Sequence, residues 1–260
     1  MIWALADGWT MTRRNLTHWT RRPGQVIVGL LFPVLLVLMF GFLLGGGMAV
    51  PGGGDYREYL LPGMFALTMV FGIETTFAAV AQDADRGVTD RFRSIPMARS
   101  AVVAGRNAAD MLNATAGLLV MLLCGLAVGW RWHEGLASAA LAVALLLWLR
   151  FAMLWVGIWL GLVSRNPELL TAVQILVWPV GFLSSAVTFP ATMPAWLGAV
   201  AEWNPLSATA NAARELFGNP AAGGDGWAAQ HPVLLAVLWP AVLVAVFLPL
   251  AVARWQALDR

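Results

Sequence analysis

Six long apolar stretches separated by polar connectors dominate the pattern of this chain. Each stretch is about 19 residues or longer, and a helix needs about 20 apolar residues to cross a bilayer core of roughly 30 Å. The pattern therefore predicts an all-α integral membrane protein with six transmembrane helices. The predicted spans are 26–44, 60–81, 108–130, 136–163, 169–189 and 233–253.

The arginines predict how these spans are oriented. If the connectors alternate sides, twelve arginines fall on one side and only Arg57, Arg131 and Arg214 on the other, while Arg150 lies inside a span. Positively charged residues are retained on the cytoplasmic side of membrane proteins. We therefore expect a multi-pass protein of the bacterial inner membrane with both termini in the cytoplasm.

Composition excludes several classes of protein. The chain is 60% hydrophobic and 12% charged, whereas about 25% charged is typical of soluble domains, so we expect one membrane domain over residues 1–260. No basic segment interleaved with aromatic residues suggests nucleic-acid binding. The histidines show no metal-ligand spacing and no serine lies in a Gly-x-Ser-x-Gly motif, so we expect no catalytic site, cofactor or metal.

The chain contains no lysine. A phosphate-binding loop ending in Lys-Ser or Lys-Thr is therefore impossible. If this protein uses ATP, another polypeptide must hydrolyse it.

Two segments on the predicted inner side carry polar patterns. Residues 1–22 predict an amphipathic helix on the membrane surface, with a disordered tail as the alternative. The connector 82–107 mixes acidic residues with arginines and breaks at Ile95-Pro96. Docking to a cytoplasmic partner and a solvated loop that only sets orientation are equally compatible with its composition.

The longest connector, 190–232, lies on the predicted outer side. Pro190, Pro194 and Pro205 separate two short helical pieces, the second predicted from Ser207 to Phe217. This outer cap either re-enters the membrane or lies on its surface. Tryptophans near the span ends are expected at the headgroup level; they are Trp130, Trp132, Trp196, Trp203 and Trp227.

Ionisable residues inside spans are candidates for function. Glu74 and Arg150 are each about 14 residues from the outer ends of their spans, which predicts an ion pair at equal depth. Among the uncharged polar residues, Gln174 and Ser185 are separated by about three helical turns and are expected to share a face. With Ser184, they are our candidates for a transport pathway.

Three segments resemble ABC-2 type transporter permeases, and among these the daunorubicin and doxorubicin resistance permeases are the most similar. The segments are DADRGVTDRFRSIPMAR at 83–99, FPATMPAWL at 189–197 and NPLSATANAAREL at 204–216. Their order, spacing and position relative to the spans match the family along essentially the whole chain.

This resemblance implies a coupling helix that seats on a separate ABC ATPase. The coupling residues would be Asp83, Asp85, Arg86, Gly87, Asp90, Arg91 and Arg93. It also implies two copies of the permease and two of the ATPase, with ATP and Mg²⁺ on the ATPase. Spans one, two and five would line the pathway, and an outer gate over 190–217 would include Pro190, Pro194, Asn204, Pro205 and Arg214.

The resulting functional prediction is an efflux permease that exports a hydrophobic or amphipathic small molecule by alternating access. Such a substrate would be a drug, an antibiotic or a lipid-like metabolite. A polysaccharide-exporting permease is an alternative within the family. A proton-coupled secondary transporter using Glu74 and a membrane enzyme acting on lipids are alternatives from other classes.

Overall fold

A computed structural model describes residues 23–44, 50, 53–85, 99–163, 167–224 and 226–257. Over these ranges the chain forms helices and turns and contains no β-strand, as the all-α prediction requires. Residues 1–22 lie outside the described ranges, so the interfacial helix stays a prediction.

The described helices are named in chain order. They are α1 (Pro23–Leu38, continuing as a wider π-helical turn over Met39–Leu44), α2 (Tyr56–Asp85), α3 (Arg99–Val128), α4 (Leu136–Val163), α5 (Pro167–Phe182), α6 (Ala195–Glu202), α7 (Pro205–Phe217), α8 (Trp227–Gln230) and α9 (Pro232–Ala257). A short 3₁₀ turn, Pro190–Thr192, precedes α6.

Four of the described helices contain segments long and apolar enough to cross a membrane. These segments are Tyr56–Gln82, Asn107–Val128, Leu136–Val163 and Pro232–Ala257. The first and fifth predicted spans correspond to shorter apolar segments, Leu31–Leu43 and Thr171–Phe182.

Helices α2 and α4 form the centre of the bundle. Gly157 and Gly161 lie four residues apart on α4, a spacing that lets two membrane helices approach closely. A β-carbon on either glycine would lie 3.1 Å from a carbonyl oxygen of α2, that of Ile73 or of Phe77. Around this contact, α9 packs on α4, and α7 packs against α2, α4 and α9.

The fifth predicted span, 169–189, is wrong at its outer end. The α5 helix stops at Phe182, and residues 183–189 form bends and turns. These residues are nevertheless mostly buried, with Ser184, Ser185 and Ala186 fully enclosed. An apolar pattern alone does not distinguish a helix from irregular backbone that other parts of the protein cover.

The outer cap contains two helical pieces, as predicted, but the second begins earlier than Ser207. Asn204 caps α7, because its side-chain oxygen accepts a hydrogen bond from the Leu206 backbone N–H at 2.9 Å. Pro205 then occupies the first turn, where its missing N–H costs nothing. The helix ends as predicted at Gly218, whose φ of 69° suits glycine.

The inner connector 82–107 is helical at both ends, since α2 continues to Asp85 and α3 begins at Arg99. Asp83 and Asp85 therefore belong to the end of α2. Residues 86–98 lie outside the described ranges, and with them Arg86, Gly87, Asp90, Arg91 and Arg93. Their role in coupling stays a prediction.

Candidate functional site

The backbone after α5 creates a demand for hydrogen-bond donors. The last carbonyls of any helix have no partner within that helix, and buried carbonyls without partners are costly. Here most of the irregular segment 183–189 lies inside the protein. Side chains from α2, α7 and the turn before α7 supply the donors.

Arg214 on α7 is the main donor. Its side chain is 0% exposed, and its Nη2 donates to the carbonyls of Ser185 at 2.8 Å and Ala186 at 3.0 Å. Its Nε donates to the Tyr59 carbonyl at 2.8 Å, and its Nη1 to Asn211 Oδ1 at 2.7 Å. One guanidinium thus joins α7, the segment after α5 and the outer end of α2.

Two tyrosines at the start of α2 bind further carbonyls of the same segment. The Tyr59 hydroxyl lies 2.7 Å from the Ser185 carbonyl oxygen and 2.8 Å from that of Thr188, and shares its proton between them. The Tyr56 hydroxyl donates to the Val187 carbonyl at 3.0 Å. Both side chains are buried, so these hydrogen bonds are shielded from solvent.

Asn204 and Ser207 complete the contacts to this segment, Asn204 as a donor and Ser207 as an acceptor. The Asn204 side-chain nitrogen donates to the carbonyls of Leu183 at 2.8 Å and Val180 at 3.1 Å. The Ser207 hydroxyl accepts from the Ser185 backbone N–H at 2.8 Å. We call the set Tyr56, Tyr59, Asn204, Ser207, Asn211 and Arg214, together with residues 183–189, the outer clamp.

The electrostatics of the outer clamp suit a cation. The carboxyl end of a helix carries partial negative charge, and the Arg214 guanidinium also lies 3.7 Å from the centre of the Tyr59 ring, a cation–π contact. Burial lowers the pKa of the Arg214 guanidinium, while nearby Tyr59 and Tyr56 act in the opposite direction. Within the described residues no carboxylate pairs with Arg214, so carbonyl and aromatic groups hold it.

The clamp also depends on a close approach of α2 to the irregular segment. A β-carbon on Gly63 would collide with the Ala186 carbonyl group. Glycine at this position therefore lets α2 pack directly on the broken end of α5.

Most of the predicted gate residues lie in or beside the outer clamp. Asn204 and Arg214 belong to it, and Pro205 starts α7. The candidate pathway residues Ser184 and Ser185 are buried in its irregular segment. Pro190 begins the 3₁₀ turn and Pro194 precedes α6. Sequence reasoning missed Tyr56, Tyr59, Ser207 and Asn211. The tyrosines, the only two in the chain, offered a signal in their spacing of one helical turn.

The chain has clear relatives. The sequence pattern that defines the ABC-2 type transporter family matches residues 7–217. The chain is also similar to the daunorubicin resistance ABC transporter permease protein of Streptomyces coeruleorubidus, with 32% identity over 95% of this chain and 87% of that protein. The chain belongs to the ABC-2 type transporter family.

A probable doxorubicin resistance ABC transporter permease protein of Mycobacterium tuberculosis is 25% identical over 95% of this chain and 87% of its own length. The chain is therefore a multi-pass permease of the bacterial cell membrane. Such permeases are the membrane subunits of ABC exporters, and family membership implies an ATP-binding partner subunit.

The predicted ion pair between Glu74 and Arg150 is absent from this permease. Arg150 is 4% exposed, and its Nη2 donates to the Thr76 hydroxyl at 3.1 Å. A β-carbon on Gly72 would overlap its guanidinium. Gly72 and Thr76 are four residues apart and share one face of α2, whereas Glu74 lies about 200° around the helix from Gly72. Glu74 and Arg150 were predicted at equal depth in the membrane, but Glu74 does not lie on the face of α2 that contacts Arg150.

The sequence also places an acidic residue, Asp110, inside the third predicted span, at the start of the described part of α3 that is apolar enough to cross a membrane. The prediction overlooked Asp110 because it falls close to the predicted start of the third span. The Nη1 atom of Arg150 is buried without a hydrogen-bond partner among the described residues. Through its hydrogen bond to Thr76, Arg150 thus joins α4 to α2 inside the bundle.

The predicted common face of Gln174 and Ser185 is also wrong. Gln174 is exposed on α5, whereas Ser185 lies beyond the end of that helix and is buried in the outer clamp. Helical spacing does not extend across the break at Phe182. A role for Gln174, Ser184 and Ser185 in the pathway stays a prediction.

Trp130 is buried inside the protein rather than exposed on its surface. It is 0% exposed, packs edge-on against Phe65 and Phe217, and donates from Nε1 to Asn219 Oδ1 at 2.8 Å. Gly129, with φ of 106°, lets the chain turn inward after α3. The other four tryptophans are partly exposed, as expected for interfacial residues; they are Trp132, Trp196, Trp203 and Trp227.

Within the described residues, no three His, Cys, Asp or Glu side chains come together to hold a metal ion. The site these residues build is a structural junction between a broken helix and the helix that returns behind it.

Proposed function

We propose that this permease exports a hydrophobic or amphipathic small molecule from the cytoplasm by alternating access, driven by a separate ABC ATPase. The observation that carries the proposal is the outer clamp, since it ties the end of α5 to α2 and α7. Movement of α2 or α5 at the inner side would therefore be transmitted to the outer cap. We infer that residues 190–217 form the outer gate and that residues 183–189 link it to α5.

An aromatic cluster supports the assignment of the substrate class. The Trp178 ring of α5 lies 4.5 Å from the Phe71 ring of α2 and 5.2 Å from the Phe32 ring of α1, centre to centre. Aromatic surfaces favour offset stacking and edge-on contacts with other rings. A pathway along α1, α2 and α5 would thus present aromatic groups to a flat, apolar substrate such as an anthracycline.

The names of the relatives support the same substrate class. They describe resistance to daunorubicin and to doxorubicin. A drug or antibiotic is therefore our proposed substrate, in preference to a polysaccharide, for which a pathway rich in hydroxyl and amide groups would be expected.

Coupling to the ATPase is proposed for the segment around Arg86 and Gly87. It follows α2, which contributes Tyr56 and Tyr59 to the outer clamp. One helix would then connect the nucleotide-driven movement to the outer gate. Two copies of the permease and two of the ATPase, with both permease termini in the cytoplasm, complete the proposed transporter.

Transport into inverted membrane vesicles tests this proposal. Vesicles that contain the permease and its partner ATPase should accumulate daunorubicin when ATP is added. Vesicles with an ATPase variant that lacks the phosphate-loop lysine should not. Uptake that follows a proton gradient after ATP depletion and is lost in Glu74→Gln would contradict the proposal and favour a secondary transporter.

A second experiment tests the coupling segment by itself. The variant Arg86→Ala, combined with Gly87→Val, should lose co-purification with the ATPase while its abundance in the membrane stays unchanged. Arg131→Ala, on the predicted outer side, is the matched control and should retain the ATPase. Undiminished co-purification of the double variant would contradict the coupling assignment.

A further inference from the structure

Two contacts between α2 and α5 fix how these helices face each other. A β-carbon on Gly181 of α5 would lie 2.8 Å from the Leu67 side chain of α2. One helical turn further along α2, the rings of Phe71 and Trp178 lie 4.5 Å apart, centre to centre. Residue numbers thus rise along α2 while they fall along α5, as in an antiparallel pair of helices.

The same register brings Glu74 and Gln174 to one level. Glu74 follows Phe71 by three residues on α2, and Gln174 precedes Trp178 by four residues on α5. Residues three or four apart lie on the same side of a helix, about one turn from each other. A carboxylate and an amide therefore occupy the next level of the α2–α5 interface after the contact between the two rings.

The angular positions around the two helices agree with this placement. Val70 of α2 and Val177 of α5 line a groove on one side of the interface. At about 100° per residue, Glu74 lies between Phe71 and Val70 around α2. Gln174 lies in the same way around α5, between the ring contact and Val177. Both residues therefore belong to the faces that α2 and α5 turn towards each other.

Neither side chain is held by another part of the described chain. Among the described residues, the Glu74 carboxylate and the Gln174 amide form no hydrogen bond or ion pair, and the face of α2 that contacts Arg150 is a different one. An ionisable group inside a membrane span is costly and points to a functional role. Both groups are therefore free to bind a ligand.

The aromatic cluster beside this level suits a flat molecule. The Trp178 ring lies 5.2 Å from the Phe32 ring of α1 and 5.8 Å from that of Phe182, in addition to its contact with Phe71. The neighbouring level, about 5 Å away along the helices, holds the carboxylate of Glu74. Aromatic rings and a carboxylate side by side are complementary to a flat molecule that carries a positive charge.

We propose that Glu74 and Gln174 recognise a positively charged group on the exported molecule, which is an amphipathic cation with a flat ring system. The Glu74 carboxylate pairs with an ammonium group, and the Gln174 side-chain carbonyl accepts another of its N–H bonds. The rings pack against Phe71 and Trp178. This inference rests on the proposed export along α1, α2 and α5, and it names the residues that read the charge of the substrate.

A cation fits this site better than a neutral or an anionic molecule does. A neutral molecule would enclose the Glu74 carboxylate without a partner of opposite charge, and burial of an unpaired charge is strongly unfavourable. An anionic molecule would add repulsion between like charges. The site therefore selects among hydrophobic molecules of similar shape by their charge.

Drug binding to the purified permease in phosphatidylcholine nanodiscs tests the proposal. The probes are daunorubicin, whose amine is protonated at neutral pH, and N-acetyl-daunorubicin, which keeps the rings but lacks the charge. We expect daunorubicin to bind about tenfold more tightly or better, the ratio that one hydrogen bond to a charged group provides. Empty nanodiscs correct for the partition of each probe into lipid.

Variants of the two polar residues provide the second arm. Glu74→Gln keeps the size of the side chain but removes its charge, so daunorubicin binding should weaken by about tenfold and the two probes should become nearly equal. Glu74→Asp keeps the charge and should retain a preference for daunorubicin. Gln174→Leu removes a neutral acceptor and should reduce the preference by only about threefold.

Glu134→Gln is the matched control for the loss of a carboxylate. Glu134 is exposed in the turn between α3 and α4, outside the α2–α5 interface. This variant should bind both probes as the unmodified permease does.

Two results would overturn the proposal. One is equal binding of both probes to the unmodified permease, a comparison that needs no variant to fold. The other is a preference for daunorubicin that persists undiminished in Glu74→Gln.

Uptake into inverted vesicles separates this proposal from the proposed function. ATP-driven uptake of daunorubicin by a permease that shows no charge preference would reject the cation site alone. Charge-dependent binding that requires Glu74, without any ATP-driven uptake, would support the site and contradict the proposed export.

Discussion

Arg214 and Arg150 are both buried cations, but the protein stabilises them in different ways. Arg214 lies at the end of a broken helix and donates to backbone carbonyls of Tyr59, Ser185 and Ala186. Arg150 lies between intact helices and has the Thr76 hydroxyl as its hydrogen-bond partner, with one nitrogen unpartnered among the described residues.

The helix break explains this difference. In an intact helix the carbonyls already accept from the helix's own N–H groups, and α2 offers Arg150 the Thr76 hydroxyl and the space beside Gly72. Arg214 reaches one helical carbonyl, that of Tyr59 in the first turn of α2. After Phe182 the carbonyls are free, and they form a ready site for a guanidinium with several donors in fixed positions. A broken helix and a buried arginine therefore stabilise each other.

The largest expected effect is the loss of Arg214. Arg214→Ala removes the hydrogen bonds from a charged group to the carbonyls of Tyr59, Ser185 and Ala186, and a hydrogen bond to a charged group contributes about 1.5–3 kcal/mol. We expect a loss of at least about 3 kcal/mol, seen in detergent as a large fall in the thermal unfolding midpoint. Arg214→Lys should recover only part of this loss, because an ammonium group lacks the planar arrangement of donors.

Arg131→Ala is the control for Arg214. The Arg131 side chain also donates to backbone carbonyls, those of Leu126 and Trp130, but it is exposed to solvent. We expect a change within about 0.5 kcal/mol, typical of surface positions. Equal effects of the two alanine variants would remove the basis for the outer clamp.

The next largest effect concerns the packing of Arg150. Gly72→Ala introduces a methyl group where the guanidinium lies, and overpacking of a buried site costs about 1–3 kcal/mol. Gly41→Ala is the matched control, because the nearest atom to its new β-carbon would be 4.0 Å away. In detergent, the thermal unfolding midpoint should fall for Gly72→Ala and change little for Gly41→Ala. A stable Gly72→Ala variant would mean that Arg150 is not packed against α2.

A smaller effect distinguishes the two tyrosines of the outer clamp. Tyr59→Phe keeps the ring that contacts Arg214 but removes a hydroxyl shared by the Ser185 and Thr188 carbonyls. We expect a loss of about 1–2 kcal/mol. Tyr56→Phe removes a donor to one carbonyl and should lower the free energy of unfolding by less than Tyr59→Phe does. The reverse order in thermal unfolding would contradict the assignment of Tyr59 as the more important donor.

The smallest expected effect is a coupling energy close to zero between Glu74 and Arg150. In a double-mutant cycle on thermal unfolding, the losses of unfolding free energy caused by Glu74→Gln and Arg150→Gln should add to within about 0.5 kcal/mol. Such additivity is usual for residues that do not touch. The losses caused by Thr76→Val and Arg150→Gln should not add, because the Thr76 and Arg150 side chains share a hydrogen bond. Strong coupling between Glu74 and Arg150 would restore the predicted ion pair.

The sequence predicted the helical content well because it depends on local pattern. Each of the six apolar stretches contains a helix in the described structure, and Gly218 ends α7 where glycine was expected. Asn204 and Arg214 were also recognised as candidate gate residues, through the family resemblance.

The sequence could not predict where α5 ends, because the cause lies far along the chain. Residues 183–189 are apolar enough to continue a helix, and only the donors on Arg214, Tyr56 and Tyr59 make an irregular path stable there. The position of Glu74 is a different case. Its angle around α2 relative to Gly72 and Thr76 was available from the sequence, but only the structure showed which face Arg150 contacts.

The most direct test of the outer clamp is an experimental map of this permease in lipid nanodiscs at side-chain resolution. We expect α5 to end at Phe182 and the Arg214 guanidinium to lie within hydrogen-bonding distance of the Ser185 and Ala186 carbonyls. An α5 helix that continues unbroken to residue 189, with Arg214 bound elsewhere, would contradict the account.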